Sequence, residues 1–196
     1  MRILVLVFAA MSTASAANWE ESPSKLAFVD LRVSGGATAN SDPVVAVSLM
    51  CGDLGLKDQH VITIDQDAGI VIGVRGIGAR VDAKLSGNQS QAVRLAGGEF
   101  LGGFGYIAGP KDHLELLGGY HMGVTTLAGD GSNFSRNGTY RGFGGELGWY
   151  HTWDSHVQIG ILAGYSVRKL KLDSPGGRVS ARVGGVDAMA SLGYRF

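Results

Sequence analysis

Charged side chains recur along the chain, most often between small or apolar residues, and His121 occurs among them. Both signs are present, so these groups could neutralise one another inside a fold or line a narrow polar path. Buried charges are tolerated only when they are paired, and we therefore predict a network of ion pairs in an interior. The predicted network comprises Asp30, Arg32, Arg75, Arg80, Asp82, Glu99, Glu115, His121, Glu146, Arg168, Arg182 and Asp187.

Catalysis would require a nucleophile, a base and an orienting acid within hydrogen-bonding distance. The chain has no Gly-x-Ser-x-Gly motif, and His121 is the residue that a catalytic role would use. Motifs for calcium, phosphate or dinucleotide binding are absent from the sequence. Its single cysteine, Cys51, excludes an intrachain disulfide and a multi-cysteine metal site. We expect a protein that is not an enzyme and has no catalytic residues, no cofactor and no metal.

The composition narrows the class of protein. The chain has 196 residues, 32 of them glycine, and its 17 basic residues balance its 17 acidic residues. A neutral chain without a basic run argues against nucleic-acid binding, which requires a clustered positive field. Only 17% of the residues are charged, compared with about 25% in typical soluble domains. The length predicts a single domain.

The first sixteen residues have the pattern of an export signal. Arg2 precedes an apolar run, Ile3 to Met11, and Ala14-Ser15-Ala16 forms a small-residue cleavage site. The apolar run is shorter than the roughly 20 residues of a membrane helix. We therefore predict a cleaved signal peptide, residues 1–16, and a mature domain, residues 17–196.

The mature chain alternates with a period of two, which is typical of β-strands. In the last stretch, Val186, Leu192 and Tyr194 share one face, while Asp187 and Ser191 share the other. The alternation predicts an all-β fold of eight strands, and the glycines, the aromatic residues and the last residues of the chain favour a closed antiparallel transmembrane β-barrel. The predicted strands are residues 25–34, 43–51, 69–86, 91–108, 113–127, 139–151, 157–172 and 179–196.

Three stretches complicate this pattern. Residues 53–68 are long for a turn and contain a strand-like segment, His60 to Ile64, so ten strands are the alternative. The apolar face changes parity near Gly76 in the third strand and near Gly97 in the fourth. We interpret both changes as β-bulges, which glycine favours. Short turns at one end are expected to alternate with longer polar loops at the other, namely residues 35–42, 128–138 and 173–178.

Alternation alone does not show which face is inside. Glycines on the polar face favour a narrow interior, because a closed ring of eight strands has room only for side chains. The apolar face would then contact lipid, with amphipathic aromatic rings at both membrane interfaces. The predicted aromatic belts contain Tyr106, Trp149, Trp153, Tyr120, Tyr140 and Tyr165.

The final residues carry a resemblance to a known family. Leu192, Tyr194 and Phe196 share the apolar face of the last strand, which resembles the C-terminal assembly signal of bacterial outer-membrane β-barrels. With the export signal, the chain resembles the small eight-stranded class, which includes OmpA- and OmpX-type barrels and similar surface antigens. The stretch 53–68 departs from that class.

This resemblance implies a location in the outer membrane of a Gram-negative bacterium and a structural or surface-interaction role. The implied partners are membrane lipid and lipopolysaccharide, the outer-membrane assembly machinery, and an extracellular or periplasmic protein bound through the loops. The alternatives are a narrow porin-like pore and a lipid A-modifying enzyme, either a deacylase or an acyltransferase. A soluble secreted β-sandwich is a further alternative, because its strands alternate as well.

Overall fold

The computed structural model describes residues 26–40, 42–54, 68–84, 90–127, 137–174 and 177–196. The predicted signal peptide and the segment His60 to Ile64 lie outside these residues. No helix among the described residues is long and apolar enough to cross a membrane. The strands are β1 (Leu26–Thr38), β2 (Pro43–Leu54), β3 (Ala68–Lys84), β4 (Ser90–Ile107), β5 (Asp112–Leu127), β6 (Asn137–Thr152), β7 (Val157–Ser174) and β8 (Gly177–Arg195).

The eight strands form one antiparallel sheet that closes on itself as a ring, so the predicted all-β, eight-stranded fold is confirmed. Each strand pairs with the next, and β8 pairs with β1. We start at Leu192 on β8 and move from each residue to the residue directly opposite it on the next strand. One full turn of the ring returns to β8 at Arg182, ten residues away from the starting point. This stagger tilts the strands, as closure of a sheet requires.

The two ends of the ring differ. At the terminal end lie Phe196 and the turns 108–111 and 153–156; at the hairpin end, β1 joins β2 and β7 joins β8. The expected long loops 35–42 and 173–178 are wrong, because β1 continues to Thr38 and β7 to Ser174. The strands therefore extend farther toward the hairpin end than their apolar outer face does.

An apolar belt covers the outside of the ring from the terminal end to about two-thirds of the strand length. All eight strands contribute to it, with side chains that are 39–70% exposed. Such a continuous exposed apolar surface is far larger than isolated surface residues would produce. Its large members are Leu31, Val33, Val45, Val47, Ile70, Ile72, Val74, Phe100, Phe104, Tyr106, Leu116, Met122, Val124, Phe143, Leu147, Ile159, Ile161, Tyr165, Val186, Leu192 and Tyr194.

Toward the hairpin end this arrangement is reversed. Val81, Val93 and Leu170 belong to an apolar cluster inside the ring, while Arg94 and Lys169 on the same strands point outward. The ring is therefore built like a water-soluble sheet at this end, with apolar side chains inside and charged side chains outside. Along each long strand, the apolar residues change sides.

This change of sides corrects the two predicted bulges. Gly76 lies opposite Val47 on one side and Gly98 on the other, and β3 and β4 pair residue for residue through this region. No extra residue interrupts the pairing, so both bulge predictions are wrong. The apolar parity shifts because the apolar side chains lie outside the ring along the belt and inside it toward the hairpin end.

Neighbouring substitutions on β4 test the reversal. We expect Val93→Asn to lower the free energy of unfolding by about 2–4 kcal/mol, because it places an amide in the apolar interior and removes packed methyl groups. We expect Arg94→Asn to change it by less than about 0.5 kcal/mol, because that side chain is on the surface. Urea titration followed by tryptophan fluorescence measures both values. If β4 contained a bulge at Gly97, Val93 would face outward and Arg94 inward, and the two changes in the free energy of unfolding would be exchanged.

Candidate functional site

Two guanidinium groups and two carboxylates form a cluster inside the terminal end. Arg32 donates to both oxygens of Glu115, at 2.7 and 2.6 Å, and to Asp30 at 2.7 Å. Arg195 makes two further bonds to Asp30, both 2.8 Å. Two positive and two negative charges therefore neutralise each other. Such paired, charge-assisted bonds are the geometry that makes buried charge tolerable.

Aromatic and polar side chains enclose this terminal-end cluster. The Arg32 guanidinium lies 3.9 Å from the centroid of the Tyr150 ring, which stacks on His113. The Gln158 amide donates to Asp30 at 3.2 Å. Gly148 leaves room for this arrangement, since a Cβ there would come within 2.7 Å of the Tyr150 ring. The side chains fill the terminal end around the ion pairs.

Three residues of the cluster could in principle ligate a metal. The ligand atoms of Asp30, His113 and Glu115 lie within 4.8 Å of one another. However, Arg32 and Arg195 already donate to these carboxylates. A cation would have to displace two guanidinium groups from a neutral cluster, so the donor set fits ion pairing better than metal binding.

A second cluster lies in the middle of the ring. Arg75 on β3 donates to both oxygens of Glu146 on β6, each at 2.6 Å, and approaches Glu99 at 3.3 Å. Glu99 also contacts Nδ1 of His121 and lies 3.7 Å from Arg168. Glu99 therefore joins three groups that donate or carry positive charge. The Arg75–Glu146 ion pair links β3 to β6 across the interior.

A small cavity of about 20 Å³ adjoins this middle cluster, which is room for about one water molecule. The His121 Nε2, Arg75 Nε and Arg168 Nε atoms are buried without a hydrogen-bond partner among the described residues, and all three residues line the cavity together with Asp187. Glu99 orients the His121 imidazole through its other nitrogen, as a base or ligand would be oriented. However, no described hydroxyl makes a hydrogen bond to Nε2, so the geometry contains no activated nucleophile at this histidine.

The structure brings together most of the predicted network. Interior positions are occupied by Asp30, Arg32, Arg75, Glu99, Glu115, His121, Glu146, Arg168 and Asp187. The interior placement of Arg80, Asp82 and Arg182 is wrong, because all three point outward. Their strands are uninterrupted, and the neighbouring positions Val81 and Ala181 face the apolar interior.

The residues of the predicted aromatic belts lie on the outer face, with the exception of Tyr140. Tyr106 and Trp153 are exposed near the terminal end, where Trp149 is half-buried. Tyr165 is exposed and Tyr120 half-buried nearer the hairpin end. The residues of the predicted assembly signal, Leu192, Tyr194 and Phe196, point outward.

The predicted belt position of Tyr140 is wrong. Tyr140 is only 3% exposed and belongs to the interior apolar cluster. Its position on β6 has the same parity as Glu146 and Tyr150, which also face inward. A Cβ on Gly97 would come within 2.5 Å of the Tyr140 hydroxyl, so the absence of a side chain there makes room for the ring.

Sequence reasoning missed several members of the terminal-end cluster. Arg195, Gln158 and His113 were not included in the predicted network, although each lies on the same strand face as an interior residue. Parity could have identified them. Their partners could not be identified this way, because Arg195 is 165 positions from Asp30 along the chain and meets it only after β8 pairs with β1.

Comparison with protein-family models and with curated proteins finds no match to this chain.

Removal of the central guanidinium tests the terminal-end cluster. We expect Arg32→Met to lower the free energy of unfolding by about 3–5 kcal/mol, because it leaves Glu115 buried without its main partner. The control is Lys111→Met at the exposed Lys111–Asp154 pair, where the side chains are 42% and 88% exposed. Its cost should be below about 1 kcal/mol. Equal urea midpoints for the two variants would show that the buried pairs contribute no more than a surface pair.

Proposed function

We propose that this protein is an integral outer-membrane β-barrel with a structural or surface-interaction role. The observation that carries the proposal is the apolar belt that surrounds the ring on all eight strands. A transmembrane barrel requires such a band facing lipid and polar residues inside. Apart from Asp53 at the terminal-end edge, the described outward positions between the belt residues carry no acidic or basic side chain, whereas the interior at the same level contains both ion-pair clusters.

Further features support the membrane orientation. Exposed Tyr106, Trp153 and Tyr194 near the terminal end fit an interfacial aromatic girdle. Outward charges reappear at Arg80, Asp82 and Lys169, where the hairpin end would enter water. The signal-like residues 1–16 agree with export. In this arrangement the start of β1 and the end of β8 face the periplasm, and the hairpin end faces outward from the cell.

The interior supports a structural or binding role. Ion pairs and buried apolar residues such as Phe28, Met50 and Leu54 occupy the terminal end, and apolar side chains fill the hairpin end, so side chains occupy the interior on both sides of the cavity. The hairpin end extends beyond the belt as a packed wall that presents its connections to the outside. Recognition residues concentrate in such connections on a rigid scaffold. The predicted binding loop, 128–138, lies mostly outside the described residues.

Cell fractionation tests the location. We expect the protein in the detergent-extracted outer-membrane fraction, with faster gel migration before boiling than after it, because closed barrels stay folded without heat. Recovery from the soluble periplasm without detergent would overturn the proposal.

A charge placed in the belt tests its contact with lipid. In protein folded into vesicles, Leu147→Arg should cost about 2–4 kcal/mol, because it moves a charge into the hydrocarbon region. Thr139→Arg, on the same face of β6 but above the belt, should cost about 0–1 kcal/mol. Urea titration in the vesicles measures both. If Leu147→Arg behaves like an ordinary surface change, the belt does not face lipid.

The filled interior predicts no steady conductance. Wild-type protein in a planar bilayer should insert without stable single-channel currents, because buried ion pairs and apolar side chains occupy the interior. Stable current steps proportional to the amount of inserted protein would favour the narrow pore instead.

A further inference from the structure

Three cations lie side by side on the outside of the ring, just above the apolar belt. Arg141 on β6 is directly opposite Lys169 on β7, and Lys169 is directly opposite Arg182 on β8. All three side chains are exposed. Directly opposite residues on paired strands have Cβ atoms about 4.5–5.5 Å apart. We call these residues the cationic row.

The cationic row has no opposing charge of its own in the described part of the ring. Like charges directly opposite one another destabilise a sheet, yet none of the three residues makes an ion pair with a described acid. On the neighbouring stretch of β8, Asp187 faces the interior cavity. The arrangement therefore favours binding of an anion, which would relieve the repulsion.

An apolar surface lies directly beneath the row. Two residues below Arg141 is Phe143, the most exposed large apolar side chain, at 70%. Its ring centroid lies 5.0 Å from that of Tyr120. Val167 lies two residues below Lys169, and Gly184 lies two residues below Arg182. Gly184 has no side chain, and a Cβ there would lie 3.4 Å from both the Tyr165 hydroxyl and Val167 Cγ2, so these two residues flank it.

The row lies on three adjacent strands, β6, β7 and β8. Another cationic pair, Arg80 opposite Arg94, lies on β3 and β4, but the outward Asp82 follows two residues after Arg80. No acidic residue lies two positions before or after a member of the row.

We propose that the cationic row binds the phosphorylated headgroup of a membrane lipid, whose acyl chains lie against Phe143, Tyr165 and Val167. This inference rests on the proposed membrane function. Arginine guanidinium groups bind phosphate oxygens in pairs, and lysine adds a point charge. The row and the apolar surface together match an amphiphile with an anionic head at the membrane boundary.

Lipid titration tests the proposal. Protein folded in zwitterionic detergent is titrated with phosphatidic acid, with phosphatidylcholine of the same chain length, and with inorganic phosphate, and bound species are counted by native mass spectrometry. The row variant is Arg141→Gln, Lys169→Gln and Arg182→Gln combined. The control is Arg80→Gln, Lys84→Gln and Arg94→Gln combined, which removes the same charge from the other wall.

We expect phosphatidic acid to bind the wild type and the control alike, and the row variant about tenfold or more weakly, a loss of about 1.4 kcal/mol or more of binding free energy. Phosphatidylcholine and inorganic phosphate should bind weakly to all three. Without phosphatidic acid, the row variant should have an unchanged or higher urea midpoint, because the repulsion is gone.

Equal losses in the row and control variants would overturn the proposal, since general positive charge would explain them. Undiminished binding by the row variant would also overturn it. If inorganic phosphate bound as tightly as phosphatidic acid, the site would be one for free phosphate rather than lipid. Gel migration and vesicle insertion of each variant distinguish these outcomes from failure of the membrane proposal, in which the wild type itself would not insert.

Discussion

The ion pairs that cross the interior are the interactions on which the rest of the structure depends. Arg32 and Glu115 join β1 to β5, and Arg75 and Glu146 join β3 to β6, strands that are not neighbours in the sheet. If the outer face meets lipid, the polar half of every strand must be satisfied inside the ring. These bidentate pairs neutralise the interior while they hold opposite walls together.

The interior also explains the composition. A narrow ring that contains Tyr150 and His121 needs positions without side chains beside them, and a Cβ on Gly144 would come within 2.6 Å of His121 Nε2. The small charged fraction follows from a belt that carries no charge along most of each strand. Beyond the belt the polarity reverses, so the same strands supply an apolar core at the hairpin end and a charged outer wall.

Much of the fold could be predicted from the sequence, because a period of two and polar turns identify strands locally. The eight strands and the inward parity of Asp30, Arg32 and Glu115 follow from that pattern. The interior placement of Arg80 and the belt position of Tyr140 were wrong, because a parity change looks the same whether it marks a bulge or a new environment. The pairing of Asp30 with Arg195 and the cationic row depend on register around the closed ring, which local patterns do not contain.

The accessibility of one strand to water and to lipid tests most directly whether the apolar belt faces lipid. With Cys51 replaced by serine, single nitroxide labels are placed at outward positions of β7 from Ile159 to Lys171, in protein folded into vesicles. Labels at Ile161 and Tyr165 should collide with dissolved oxygen and be shielded from a water-soluble nickel chelate, and the label at Lys169 should show the reverse. Uniform access of the chelate at all these positions would contradict a lipid-facing belt.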